Sequence, residues 1–298
     1  MNRRIAVIGA GPGGYVAALQ AAALGADVTL VERNHLGGTC LNWGCIPSKI
    51  MKHAAQTVNT CKRAGEFGIL VEGSFDINMA ALNAKKDKII SQQRAGIAAL
   101  LKGRSIKTLF GSARILSNRN LEIKSDQNGT TLLDFDQLII STGTAPVSIQ
   151  GFAFDHQHIL SSNDLLNLKT LPKSILIIGA GVIGCEFAFI LSSLGVKVTL
   201  VEGLSRVLPF SWVDEDISRT LAREMKKHKI NVICDAVAES PRISDGKVYI
   251  DLKLSPFTDN PNPKPLKIKE VVTHQVGICV GRAPDIQNLG LENVNVQT

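Results

Sequence analysis

The chain has 298 residues, 45% of them hydrophobic and 20% charged, enough apolar material for two sizeable cores and too much for a disordered chain. Its formal net charge of +7 is scattered among acids, which excludes nucleic acid as the expected partner; Lys85, Lys86 and Lys88, like Lys226, Lys227 and Lys229, read as solvated helix faces. Asn2-Arg3-Arg4 before an apolar stretch imitates a secretory signal, but Gly9, Gly11, Pro12, Gly13 and Gly14 interrupt it, no apolar run approaches a membrane span, and six cysteines with one close pair suit a reducing compartment, so a cytoplasmic α/β protein without a membrane partner is expected.

Residues 5–32, IAVIGAGPGGYVAALQAAALGADVTLVE, predict a buried strand, a GxGxxG turn, a helix ended by Gly25 and a second strand ended by Glu32. The run Gly37-Gly38-Thr39-Cys40-Leu41-Asn42-Trp43-Gly44-Cys45-Ile46-Pro47-Ser48-Lys49 follows at once. From 51 to 103 two helices are predicted, with a break around 65 to 76; residues 104–140 read as short strands with an Asn128-Gly129 hairpin turn. The last of these, LDFDQLIIST, returns to the first sheet and is ended by Ser141-Thr142-Gly143. Residues 175–202, ILIIGAGVIGCEFAFILSSLGVKVTLVE, align with 5–32 without a gap at an offset of 170, an internal repeat whose helix is ended by Gly195. Beyond it come a charged amphipathic helix over Asp214–Lys229, strands around Asn231–Cys234 and Lys247–Leu254, and a Pro-rich hairpin loop over 256–265.

Each repeat is the start of a βαβ unit with a phosphate-binding turn. Its first glycine permits the tight bend, its second lets backbone approach a pyrophosphate, and its third lets helix pack on strand, while helix dipole and amides face the phosphates. Glu32 and Glu202 each lie 23 residues after the first glycine of their turn, where a carboxylate accepts ribose hydroxyls and repels a 2′-phosphate. Two dinucleotides on one chain imply electron transfer between them. The expected fold is α/β with two Rossmann-like dinucleotide-binding domains, over 1–150 with the helical insertion and over 151–271, and with 272–298 returning toward the first.

Cys40 and Cys45 belong to the same chemistry. Four residues between them close a loop worth only about 2 kcal/mol as a staple, so a redox role is the better reading. A helix starting near Cys45 would favour its thiolate through the dipole.

GGTCLNWGCIPSK at 37–49, the two glycine turns, IISTGTAP at 139–146 and GRAPDIQNLGLEN at 281–293 together resemble, in order and almost end to end, the FAD-dependent disulfide reductases, class I pyridine nucleotide-disulfide oxidoreductases, and dihydrolipoamide dehydrogenases above all. The resemblance implies FAD at the first turn, held through Gly9, Gly11, Pro12 and Gly14, with Glu32 and Arg33 beyond the second strand. Gly38 and Thr39 would meet its phosphate or ribityl chain, Lys49 its ring, and Gly111 its adenine, with Ser141, Thr142 and Gly143 closing the site. NAD is implied at the second turn through Gly179, Gly181, Ile183 and Gly184, with Glu202, Val237 and Gly281 around it. By the same resemblance Cys40 and Cys45 form the redox-active disulfide, Cys40 as the interchange thiol and Cys45 beside the flavin, and Lys49 pairs with Glu186 across the domains. Buried, each of that pair would need the other. No metal centre is expected.

The implied partners are dihydrolipoyl groups of the acyltransferase component of 2-oxo acid dehydrogenase complexes. Family members continue well past the position of Thr298, into a segment whose Asp contacts FAD and a homodimerisation domain that supplies an acid-base His and Glu; the chain is expected to lack both. None of His35, His53, His156, His158, His228 or His274 has the required Pro and Glu spacing, and each reads as a surface or packing histidine. Since proton transfer contributes a factor of about 10² to 10⁴, the chain alone should be a poor catalyst. Trp43 and Ala283 depart from the usual residues of the family. The alternatives are a sibling reductase of mercuric or glutathione type and a non-catalytic nucleotide-binding remnant.

Overall fold

The computed structural model describes residues 3–70, 76–127 and 129–298. Asn128 of the expected hairpin turn and residues 71–75 of the expected helix break lie outside the described residues.

The first half of the chain forms β1 (Arg4–Ile8), α1 (Pro12–Ala23), β2 (Asp27–Glu32), α2 (Gly38–Trp43), α3 (Cys45–Lys62), α4 (Met79–Gly103), β3 (Lys107–Phe110), β4 (Ser112–Ser117), β5 (Asn120–Ser125), β6 (Gly129–Asp134), β7 (Gln137–Ile140) and β8 (Thr144–Pro146). The second half adds β9 (Ile159–Ser161), α5 (Ser162–Leu165), β10 (Ser174–Ile178), α6 (Val182–Ser193), β11 (Lys197–Val201), α7 (Glu215–Lys227), β12 (Asn231–Ile233), β13 (Ala236–Ser244), β14 (Lys247–Leu254), β15 (Glu270–Thr273), β16 (Gln275–Ile278) and β17 (Arg282–Pro284).

Two compact units result: a first of Met1–Pro47, Lys85–Ala145 and Ala283–Thr298, and a second of Ser48–Ala84 and Pro146–Arg282. In the first, a parallel sheet of order β3-β2-β1-β7 accompanies an antiparallel sheet β4-β5-β6. Alternation along β1 sends Val7 into a core with Ala18, Leu30 and Leu101, and Ala6 and Ile8 into another with Ile115, Leu121 and Leu289. The second unit repeats the plan, with a parallel sheet β12-β11-β10-β16-β9 and an antiparallel sheet β13-β14-β15. Leu176 and Ile178 of β10 share its core with Val248, Ile250 and Leu252 of β14. The repeat read from the sequence is thus a structural one: α1 and α6 each span 12 residues, and Gly25 and Gly195 end them with φ of +87° and +97°.

Four expectations are corrected. Only 283–298 return to the first unit, where Leu289 and Leu291 are buried; residues 275–278 are β16, an inner strand of the second unit's sheet. Residues 48–84 belong to the second unit, because Asn59 Nδ2 donates to Ser193 Oγ at 2.9 Å, Lys62 Nζ to the Ser193 carbonyl at 3.1 Å and Asn83 Nδ2 to the Leu168 carbonyl at 2.9 Å. Lys86 is buried, not solvated, and that burial pushes its pKa down. The nine-residue strand β13 was not expected, since Pro241 speaks against a strand; Pro241 sits where the register with β14 shifts between Glu239 and Arg242, a bulge that needs no N–H there.

Candidate functional site

Each glycine turn is built to the same plan. Gly9 and Gly179 have φ of +95° and +100°, and a Cβ on either would strike the carbonyl that follows the neighbouring strand, Ser141 after β7 in the first unit and Cys279 after β16 in the second. A Cβ on Gly14 or Gly184 would fall inside contact distance of the Gly9 or Gly179 carbonyl oxygen, so helix packs on strand only without a side chain there. Pro12 opens α1, where its missing N–H costs nothing. Gly9 of the first turn, and Gly179 and Gly181 of the second, open onto cavities.

The two glutamates are wired alike. Glu32 is 8% exposed; its Oε2 accepts from Ala10 N at 2.7 Å and its Oε1 from Asn34 N at 2.8 Å. Glu202 is 9% exposed and accepts from Ala180 N at 2.7 Å and Leu204 N at 3.0 Å. Each carboxylate therefore ties the glycine turn to the chain that leaves the second strand, a task the sequence reading did not assign. A carboxylate has about four lone-pair sites, which leaves capacity for ribose hydroxyls.

In the first unit, a cavity of about 310 Å³ is lined by Gly9, Glu32, Arg33, Gly111 and Thr142 together with Asp285. Arg33 and Asp285 form an ion pair, Gly111 N donates to the Glu32 carbonyl at 2.9 Å, and Asp285 N donates to the Gly143 carbonyl at 3.0 Å. Gly11, Pro12, Gly14, Gly38, Thr39, Ser141 and Gly143 do not line this cavity; Ser141 N is held by the Ile8 carbonyl at 2.8 Å. The second unit has a cavity of about 1290 Å³, and Gly179, Gly181, Ile183, Glu202, Val237 and Gly281 all line it, whereas Gly184 and Glu186 do not. Phe210, unremarked in the sequence, stacks on Trp212 with ring centroids 4.5 Å apart and brings its Cζ to 3.4 Å from the point where Gly181 would carry a Cβ.

The dithiol segment packs on the first turn. Gly38, at φ +54°, has no room for a Cβ because the Gly11 Cα fills it, so α2 starts against the glycine turn. Cys40 is half-buried on α2, Thr39 lies beside it, and Cys45 opens α3. Gly44 makes the corner: a Cβ there would sit 3.0 Å from the Thr39 carbonyl oxygen and 3.4 Å from the Cys40 Cα, so the backbone entering Cys45 lies against the residue carrying the first thiol. Asn42, not singled out in the sequence, anchors α2 by donating to the carbonyls of Leu36 at 3.1 Å and Gly38 at 2.8 Å, while its Oδ1 accepts from Arg94 Nε at 2.5 Å.

Lys49 Nζ and Glu186 Oε1 meet at 2.7 Å, as expected, but in a different setting. Both residues belong to the second unit, so the pair lies within one unit, and the side chains are 57% and 37% exposed, so the burial argument for it fails. Such an open pair contributes on the order of 1 kcal/mol or less.

Three of the other thiols, Cys185, Cys234 and Cys279, are chemically quiet. Burial pushes Cys185, Cys234 and Cys279 each up to about 12, and Cys185 Sγ donates to the Ala180 carbonyl at 3.2 Å. Among the histidines, His35 lies 5.9 Å from the Trp43 ring and is lowered by burial and by the Arg94 charge; His228 meets Phe189 edge-on, His274 Nδ1 lies 2.8 Å from Ser174 Oγ, and His156 faces Asp164. Among the described residues no three metal-binding side chains gather, and no helix is long and apolar enough to cross a membrane.

The sequence profile of the pyridine nucleotide-disulphide oxidoreductases matches residues 3–298. The chain is 34% identical over 293 residues to the dihydrolipoyl dehydrogenase of Bacillus subtilis strain 168, covering 98% of this chain and 61% of that protein. It is 32% identical over 291 residues to the Staphylococcus aureus dihydrolipoyl dehydrogenase, covering 98% and 59%. Among solved structures, the HOCl-induced flavoprotein disulfide reductase RclA from Escherichia coli superposes with a TM-score of 0.80 at 26% identity, over 99% of this chain and 60% of that one. LpdA from Mycobacterium tuberculosis gives a TM-score of 0.85 at 23% identity over 99% and 62%, a likeness of fold. The chain thus spans about 60% of the length of the curated relatives it matches. With two wired glycine turns, a dithiol segment seated on the first of them and a match over nearly every residue, the chain belongs to the pyridine nucleotide-disulphide oxidoreductase family.

Proposed function

We propose that this chain is the two-nucleotide part of a dihydrolipoyl dehydrogenase that binds FAD at the first unit and NAD at the second. The observation that carries the reading is the seating of the Cys40–Cys45 corner on the first glycine turn through the Gly38 and Gly11 backbones. A binding protein without redox chemistry has no use for a thiol pair held there. The residues fit the two groups: Gly9 lines the first cavity and Gly179 and Gly181 the second, and both cavities include a buried carboxylate suited to an unphosphorylated ribose.

In the proposed reaction a dihydrolipoyl thiolate attacks Cys40 Sγ of the Cys40–Cys45 disulfide, forming a mixed disulfide and releasing Cys45 as the thiolate. The second dihydrolipoyl sulfur then displaces Cys40. Lipoyl is oxidised to its cyclic disulfide, the protein pair is reduced by two electrons, and two protons leave the substrate dithiol. FAD, when bound, would accept those two electrons and supply the hydride that reduces NAD. Gly44 holds the two cysteines at one corner, Asn42 fixes α2, and the Lys49–Glu186 pair steadies α3 one turn after Cys45. The substrate is read as lipoyl on the acyltransferase of a cytoplasmic 2-oxo acid dehydrogenase complex, and the supporting observation is the kinship with dihydrolipoyl dehydrogenases.

The test is NAD reduction by dihydrolipoamide, with FAD supplied, for the chain and its Cys45→Ser variant. Turnover that the substitution abolishes is expected. A Cys45→Ser protein as fast as the parent refutes the roles given to the thiols.

A further inference from the structure

The Pro-rich run after β14 is no slack loop. Asp235, at φ +57°, accepts from the Thr258 hydroxyl and, at 3.1 Å, from Asn260 Nδ2; its carbonyl accepts from Ser255 N at 2.8 Å and its own N–H donates to the Leu204 carbonyl at 3.0 Å. Asp259 Oδ1 accepts from Ser205 N at 3.0 Å, and the buried Ser255 Oγ accepts from Phe257 N at 3.1 Å. The strap 255–260 is therefore tied at three points to Asp235, which follows β12, and once to Ser205 in the chain that follows β11. Ordering a loop costs roughly 1–2 kcal/mol per residue in backbone entropy, and the fixed product here is an aromatic ring left 73% exposed. That ring stands in the wall of the second unit's cavity, beside Pro256, with Glu202, Gly203 and Leu204.

Position along the cavity decides what the ring meets. Ser255 Oγ lies 3.3 Å from where Gly203 would carry a Cβ, so the strap touches the residue next to Glu202. If the Glu202 carboxylate takes the ribose hydroxyls, the base on that ribose is one glycosidic bond away, at the strap. A purine presents two π faces, and a phenyl ring is a stacking surface for either.

We propose that Phe257 stacks on the adenine of the dinucleotide in the second unit, and that Asp235 is the positioning residue that presents it. The proposal rests on the reading of this unit as a nicotinamide-dinucleotide site and assigns it a base-recognising residue. Base–aromatic stacking predicts about a tenfold loss of affinity when the ring is removed.

The full 298-residue chain is titrated calorimetrically with NADH, ADP-ribose and nicotinamide mononucleotide, and by fluorescence with 1,N6-etheno-ADP-ribose, whose emission is quenched on stacking. Phe257→Ala should weaken NADH and ADP-ribose about tenfold, spare the mononucleotide and abolish the quenching, and Phe257→Tyr should restore all three. Asp235→Ala should copy Phe257→Ala, and the double variant should be no weaker than either. Phe257→Ala binding within twofold of the parent overturns the proposal. A parent chain that binds neither NADH nor ADP-ribose overturns the nicotinamide-site reading itself, a result distinct from an unchanged variant.

Discussion

Removing the Glu202 carboxylate with Glu202→Ala should destabilise the second unit in the absence of any nucleotide. The substitution deletes the acceptor for Ala180 N at 2.7 Å and for Leu204 N at 3.0 Å, at a side chain only 9% exposed. Hydrogen bonds to a charged group contribute about 1.5–3 kcal/mol each; because the cavity beside Glu202 lets water reach the orphaned amides, the lower end applies, giving about 3 kcal/mol for the two. For a domain of 150–250 residues each kcal/mol moves Tm by about 2–4 °C, so a drop of about 6–12 °C is expected in thermal unfolding followed by circular dichroism. Glu202→Gln keeps one acceptor oxygen and should lose about half as much. Glu32→Ala supplies an internal replicate, since it orphans Ala10 N and Asn34 N in the first unit. A Glu202→Ala transition within 2 °C of the parent would show that the carboxylate serves ligand alone and that the wiring argument is wrong.

Thiol counting checks the separation of reactive from quiet sulfurs. At pH 8 the folded, oxidised chain should give one fast thiol, Cys61, and the reduced chain three; Cys185, Cys234 and Cys279, held near 12 by burial, should join only after unfolding to make six. Six fast thiols in the folded reduced chain would contradict that burial. Gly14→Ala and Gly184→Ala should each prevent recovery of folded protein or lower Tm by more than 10 °C, as overpacking against a backbone carbonyl has no side chain to yield; a well-folded variant would refute the packing. Burial alone would raise the Asp155 pKa, but Oδ1 accepts from the backbone N–H groups of Gln157, His158 and Ile159, and the net result lies below the ordinary value of 3.8. The charge therefore stabilises the fold above about pH 4 and ceases to do so as pH falls through the depressed folded value, so the stability gap between parent and Asp155→Asn in urea should be present at pH 6 and shrink toward pH 3; a constant gap would refute the assignment.

What could be read from the sequence was whatever is fixed by backbone sterics. The glycine turns, their helices and the flanking buried strands are local, and two copies in register removed the ambiguity of a single motif. The cysteine segment was legible for the same reason. What escaped is long-range or context-dependent: β13 hides behind Pro241, and β16 is an inner strand although the chain around it looked like a return to the first unit. The exposure of Lys49 and Glu186 could not follow from their spacing, because it depends on how much surface surrounds α3 and α6. Asp235 carried no signal in the sequence, and only the folded chain reveals its four hydrogen bonds.

The carbonyl oxygens that fill the Cβ volume of Gly14 and Gly184 also govern how this chain can drift. Every single-base change that replaces glycine specifies a residue with a Cβ or a stop, so neither position has a neutral amino-acid neighbour in the genetic code. A sequence drifts wherever exchange is harmless; at these two sites it has nowhere to go, and that keeps the two turns recognisably alike 170 residues apart.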